Sequence, residues 1–191
     1  FVQKGLELIH KRYHKGIAKL IDNSKISSSP TSQDLGFIVG PQINAASRID
    51  DSSLASKLLI SNDIEQVESI SRKLFLLNEK RKLIENQILD DANNQAANQS
   101  SSNFILVFGN NWHQGVLGII ASKIKDIYYK PTIVISFSNN IGVGSARSIE
   151  NVDLGKIILN AKTENFLISG GGHSMAAGLK INFSNIENFK N

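Results

Sequence analysis

Apolar residues along the chain follow two different rhythms. In the first half they recur at three- and four-residue spacings. Leu6, Ile9, Tyr13, Ile17 and Leu20 mark one face of an amphipathic helix over residues 1–22. A polar loop around Pro30, residues 23–34, ends it. The apolar run "LGFIVG" then breaks at Gly40-Pro41, and "PQINAASRIDD" leads to a short helix over "SLASKLLI", residues 53–60. From Asn62 the helical stripe resumes through Val67, Ile70, Leu74, Leu77, Ile84 and Ile88, and Asn62 with Glu65 has the spacing of a capping box. A helix running to about residue 98 would be roughly 54 Å long, which suits a strut between domains. "NNQAANQSSSN", residues 93–103, reads as the polar linker that ends it.

The second half alternates. "FILVF" (104–108), "TIVISF" (132–137), "IGVGSAR" (141–147) and "GLKINF" (178–183) are predicted strands, while 115–128 and 153–162 are predicted helices, with a helical turn at the end. Strands interleaved with helices predict a small mixed-sheet α/β domain joined by a long connecting helix to an earlier helical part. The expected boundaries are 1–62, 63–102 and 103–191.

Composition narrows the class. At 191 residues and 41% apolar content the chain can bury a real core. It has no cysteine, so disulfides and thiolate metal sites are excluded and a reducing, cytoplasmic setting is expected. No apolar run approaches the roughly 18 uncharged residues of a membrane span, and there is no signal-peptide pattern. The chain opens on Phe1 within a helical pattern, which leads us to expect a piece of a longer polypeptide. The net charge of +4 is carried by the two flanks, with the segment 63–98 acidic. A pI near 9.3 is compatible with a polyanionic partner and equally with a solvated surface.

Candidate chemistry gathers in four stretches near predicted element ends: "GPQINAASR" (40–48), "GNNWHQGVLG" (109–118), "VGSARS" (143–148) and "SGGGHSMAAG" (169–178). Their shared property is anion binding. Glycines expose backbone N–H groups, Ser145 can donate a hydrogen bond, Arg147 can grip two oxygens with its planar fork, and His173 can donate to a phosphate oxygen. Each admits a plainer reading as a turn glycine, a surface arginine or a packed histidine; the four together favour a phosphate site. His10 and His14, four apart, lack a third ligand and read as surface histidines. No Walker loop, dinucleotide fingerprint, serine-hydrolase elbow or carboxylate–histidine cluster for two metals is present.

"GFIVGPQINAASRIDD", "NEKRKLIENQI", "WHQGVLGIIASKI", "GVGSARS" and "GGGHSMAAG" occur in the order and spacing of the RecJ exonucleases of the DHH phosphoesterase superfamily, which the chain resembles over almost its whole length. The resemblance implies that residues 1–62 are the last part of a DHH catalytic domain, 63–102 the connecting helix and linker, and 103–191 the DHH-associated domain. It implies a single-stranded-DNA-specific 5′ to 3′ exonuclease working by two-metal hydrolysis, with Mn²⁺ or Mg²⁺ held by an earlier part of the DHH domain that this chain lacks. Single-stranded DNA is the implied partner, and a monomer without membrane attachment is expected.

Carried over residue by residue, His173 is the catalytic candidate at the scissile phosphate. Asn44, Arg48, Trp112, His113, Ser145, Arg147, Gly171 and Gly172 are the phosphate- and nucleic-acid-binding candidates. The chain departs from the family's pattern at Gln42, commonly Arg, and at Ser47, commonly Gly. Two other readings stay open: a DHH phosphodiesterase acting on short oligonucleotides or cyclic dinucleotides, and a non-catalytic nucleic-acid-binding module.

Overall fold

The computed structural model describes residues 1–26, 29–99 and 101–190. The chain divides into two compact units, Phe1–Leu83 and Ile84–Asn191.

The first unit is helical. The periodicity over 1–22 resolves into two helices, α1 (Val2–His10) and α2 (Lys15–Asn23). The break is a helix-ending turn with Arg12 left-handed (φ 57°). Arg12 N–H donates to the Ile9 carbonyl at 2.9 Å and Tyr13 N–H to that of Leu8 at 3.1 Å. A matching hydrophobic period continues across the turn, which is why the sequence reads as one helix. The histidine Nδ1 of His14, rather than a second apolar turn, caps α2 by accepting from Ile17 N–H.

Residues 32–49 depart more strongly from expectation. Instead of a run broken at Gly40-Pro41 they form a helical path: a turn α3 (Ser32–Asp34), a π-helical turn (Leu35–Val39) and α4 (Gly40–Ile49). Thr31 and Asp34 make a reciprocal capping box at its start. Pro41 stands in the first turn of α4, directly after the π-helical turn. Then α5 (Ser53–Ile60) follows with the predicted bounds. Leu20, Val39, Ala45, Ala46, Leu58 and Leu74 form the core of this unit.

Helix α6 (Ile64–Ala97) begins behind Asp63, whose carboxylate accepts from the N–H groups of Glu65 (2.9 Å) and Gln66 (3.2 Å). Asp63, not Asn62, is therefore the cap. The helix also runs into the stretch read as linker, with Ser100 outside the described residues. What holds those last turns helical is tertiary: Gln95 and Gln99 each make a pair of bonds to the backbone of strand β1 (Ile105–Asn110), Gln95 to Phe108 and Gln99 to Leu106, at 2.8–3.0 Å. Gln95 on α6 and Gln99 in the turn that follows it thus match two residues of a strand edge and satisfy its outward N–H and C=O groups.

The second unit is a five-stranded mixed sheet of order β1-β2-β3-β5-β4. After β1, helix α7 (Gln114–Tyr128) crosses to β2 (Thr132–Ser138), which lies parallel to β1. Asn139 and Asn140, both left-handed (φ 49° and 63°), close the two-residue hairpin to β3 (Ile141–Arg147). Helix α8 (Leu154–Thr163) leads to β4 (Ser169–His173), which pairs with β5 (Ala176–Asn182); a 3₁₀ turn (Phe183–Asn185) and α9 (Ile186–Lys190) finish the chain. One face of the sheet packs on α8 and α9 through Ile135, Phe137, Leu154, Ile158, Leu179 and Ile181. The other packs α7 and the end of α6 on β1 and β2 through Val107, Val134, Ile120 and Ile124. Among the described residues no helix is long and apolar enough to cross a membrane.

Candidate nucleic-acid interface

The glycine-rich stretch is a strand, not a turn. Every glycine in it has an ordinary negative or extended φ, so conformational freedom is not what it provides. Packing explains two of the glycines. A Cβ at Gly170 would meet Ile158 Cγ2 at 2.6 Å, and one at Gly172 would meet the Ala176 carbonyl at 2.3 Å and Ala177 Cα at 2.5 Å. Both face the α8 side. Gly171 faces the opposite side, where a Cβ would touch nothing within 4 Å.

Strand alternation and register assemble a surface on that opposite side. Arg147, Ala176 and His173 stand in one row across β3, β5 and β4; Ser145, Gly178 and Gly171 form the next; Val143, Lys180 and Ser169 the third. Two strand spacings separate the ends of each row, about 10 Å. Gly171, His173, Gly178 and Lys180 are exposed, and Ser145 and Arg147 are half-buried against α7. The result is a shelf of nearly bare backbone bordered by an arginine, a histidine and a lysine.

Arg147 is held in a defined pose. Its Nη1 donates to Ser145 Oγ (3.1 Å) and to the Ala146 carbonyl (2.8 Å). Its Nη2 lies over Gly118 of α7, where a Cβ would come within 2.7 Å. None of the ion pairs among the described residues involves Arg147. A half-buried guanidinium with no carboxylate partner retains its charge for an outside anion.

The structure therefore brings Ser145, Arg147, Gly171 and His173 onto one face. Gly172 lies on the other face, against Ala177. Trp112 and His113 occupy the entry to α7. The Trp112 indole lies on Gly109, where a Cβ would fall 2.1 Å from Cε2, and its carbonyl accepts from Ser136 Oγ at 2.7 Å. His113 caps α7 by accepting the Gly115 N–H at Nδ1 (3.2 Å), which leaves Nε2 as the N–H donor of the neutral ring. Asn44 and Arg48 belong to the other unit, four apart on α4, with Asn44 exposed and Arg48 half-buried. Nearby Gln42 is buried and donates to Ser24 Oγ (2.7 Å) and the Ile38 carbonyl (3.1 Å), so it ties α4 to α2 and offers nothing to a phosphate. Ser47 is exposed on the helix, its hydroxyl bonded to the Asn44 carbonyl, and its Cβ is accommodated.

Lys180 is a shelf residue outside the four candidate stretches, and Gly118 and Gly178 end two of those stretches without having been named as site residues. Period-2 alternation in β5 carries the signal for Gly178 and Lys180; Gly118 has none, because its partner Arg147 comes from another strand. Among the described residues no group of three or more His, Asp or Glu side chains comes together to hold a metal.

Residues 101–191 match the DHHA1 domain family. Over more of its length the chain is similar to RecJ proteins. It is 38% identical over 168 residues to the single-stranded-DNA-specific exonuclease RecJ of Haemophilus influenzae, covering 84% of this chain and 29% of that protein. It is 30% identical over 190 residues to RecJ of Bacillus subtilis, covering 97% and 24%. Its fold superposes on the Mg²⁺ complex of RecJ from Thermus thermophilus with a TM-score of 0.87 and 26% identity, covering 99% of this chain and 29% of that one. A Mn²⁺ complex from the same organism gives 0.86. The chain thus spans about a third or less of the length of the curated relatives it matches.

Proposed function

We propose that this chain supplies the phosphate-gripping wall of a single-stranded-DNA-specific 5′ to 3′ exonuclease. The observation that carries the reading is Arg147: a fixed, half-buried guanidinium with no carboxylate partner, one row from the bare Gly178–Gly171 strip and in the same row as His173. Bare backbone lets a phosphate approach N–H groups closely, the arginine fork binds its oxygens in pairs, and His173 donates from the far side of the row. Such contacts hold the backbone of any sequence, as an exonuclease that proceeds along a strand requires.

Hydrolysis by two Mn²⁺ or Mg²⁺ ions is assigned to the whole enzyme, with metal ligands outside these residues. Asn44 and Arg48 on α4 are proposed as nucleic-acid contacts of the first unit, and Trp112 and His113 as contacts of the second. His173 orients or neutralises the scissile phosphate.

The test is a salt titration of a labelled single-stranded oligonucleotide against the 191-residue chain. Affinity should fall steeply with salt, and Arg147→Ala should weaken binding equally for unrelated sequences. Identical titration of wild type and variant removes Arg147 from the interface. Tighter binding of a cyclic dinucleotide than of the oligonucleotide would move the substrate to small diesters. Mn²⁺-dependent cleavage by this chain alone would overturn the placement of the metal ligands elsewhere.

A further inference from the structure

A second polar hollow lies at the other end of the same sheet and shares no residue with the shelf. It forms where β1 and β2 end and β5 passes into the 3₁₀ turn, as two adjoining cavities of about 410 and 310 Å³ that have Asn140 and Phe183 in common. Amide side chains dominate the rim, and no charged residue lines either cavity.

Backbone needs account for three of the asparagines. Asn111, Asn139 and Asn140 are left-handed, a conformation Asn tolerates better than most residues. They do not account for Asn110 and Asn182. Asn110 ends β1 in an exposed position, and Asn182 precedes the 3₁₀ turn without capping it. Neither side-chain amide has a hydrogen bond among the described residues.

Phe183 completes the hollow. The residue is 47% exposed although it packs on buried Phe137 and partly buried Phe108. Phe137 and Phe108 hold it edge to face, with centroids 5.0 and 6.3 Å away and planes at 82° and 80°. The ring is fixed before any ligand arrives, so little freedom is lost on stacking.

A fixed aromatic ring beside uncharged amides, each presenting a donor and an acceptor along one edge, matches a planar neutral group with its own donor–acceptor edge. That description fits a nucleobase. We propose that this hollow receives one unpaired nucleobase, which stacks on Phe183 and hydrogen-bonds to Asn110 and Asn182. The proposal rests on the reading of the chain as nucleic-acid binding, but it uses different residues and different chemistry. The shelf contacts phosphates and the hollow contacts a base. An unpaired base is required, since a base within a duplex is stacked on both faces and cannot lie against the Phe183 ring. The hollow thereby contributes a preference for single strands that phosphate contacts cannot supply.

The experiment compares two single-stranded oligonucleotides of equal length, one ordinary and one with abasic residues, for the 191-residue chain and for Phe183→Leu. A stacked base contributes roughly ten- to a hundredfold in affinity. Phe183→Leu is therefore expected to weaken the ordinary oligonucleotide about tenfold, to leave the abasic one unchanged, and to leave the salt slope unchanged. Because Phe183 also packs on Phe137 and Phe108, the exposed pair Asn110→Ser and Asn182→Ser serves as a second variant that leaves the core intact, with the same expectation. Deoxyadenosine or deoxycytidine, which carry no phosphate, should shift the side-chain amide NMR signals of Asn110 and Asn182.

Equal affinity of wild type for ordinary and abasic strands overturns the proposal, as does equal loss for both in the variants. So do amide signals that move with a monosaccharide and not with a nucleoside. Failure of the phosphate reading shows separately, as an Arg147→Ala variant without effect while nucleoside shifts persist.

Discussion

Replacing Gly118 by alanine tests the shelf at the point on which its cation rests. A Cβ there would lie 2.7 Å from Arg147 Nη2 and 3.1 Å from Ser145 Oγ. The guanidinium is the movable partner, so it leaves, and its bonds to Ser145 Oγ and the Ala146 carbonyl go with it. Two effects on stability then oppose each other. Alanine within α7 favours the helix by about 1 kcal/mol over glycine. Losing one or two hydrogen bonds costs about 0.5–1.5 kcal/mol each. The sum is a loss of about 0–2 kcal/mol, and Tm should fall by no more than about 4–8 °C. Binding has no such compensation. A hydrogen bond to a charged group contributes about 1.5–3 kcal/mol, so affinity for single strands should fall roughly ten- to a hundredfold. The slope of log K against log salt should shrink by about 0.7, the share of one phosphate contact. Thermal denaturation followed by circular dichroism, with fluorescence anisotropy at several salt concentrations, measures both. A stable Gly118→Ala protein with unchanged affinity and slope would refute the assignment of Arg147 to a phosphate.

The glycine strand offers a matched pair: Gly172→Ala should destabilise by about 1–3 kcal/mol, since its Cβ meets backbone of β5. Gly171→Ala should leave stability within about 0.5 kcal/mol and weaken only nucleic-acid binding; urea denaturation and anisotropy separate the two. Gln99→Ala should cost about 1–3 kcal/mol by leaving the Leu106 N–H and C=O unpaired, with a further loss on adding Gln95→Ala, read from urea midpoints. Acid should weaken the first unit in a defined window. The backbone N–H groups of Thr31, Asp51 and Ser53 hold Asp34, Asp50 and Asp51 respectively below the ordinary carboxylate value, with Lys73 adding to the effect at Asp50. A carboxyl with a depressed folded value stabilises the fold while ionised, so the contribution is complete above about pH 4 and is lost as pH falls below it. Replacing the three by Asn should flatten the acid limb of Tm against pH; an unchanged limb would show that these groups are not responsible.

Much of the second unit was legible in the chain, because its strands are short apolar runs whose length and spacing admit few alternatives. The bounds of α5 and β3 and the length of α6 also follow from local pattern. The errors share a cause. The single helix over 1–22 breaks at Arg12, where no glycine or proline announces the turn. Residues 40–48 are helical although Gly and Pro advertise a break, with Pro41 directly after a π turn. The polar run 93–97 stays helical, within the helix expected to about residue 98, and two glutamines tie its end to a strand edge supplied by residues later in the chain. The glycine stretch is extended because Ile158 and Ala177 demand closeness, a demand invisible from its own ten residues.

By itself the sequence determined which elements exist and which residue types are available for chemistry. It placed an arginine, a histidine and a run of glycines in the last third of the chain, with enough specificity to mark the RecJ resemblance. Tertiary structure alone decided which of these face the same way. Register across β3, β5 and β4 sets Arg147, Gly171 and His173 on one side and turns Gly172 to the other. The physical reason is that strand alternation is local, whereas the phase between strands is set by turns and by packing. A difference of one residue decides between a phosphate contact and a core contact.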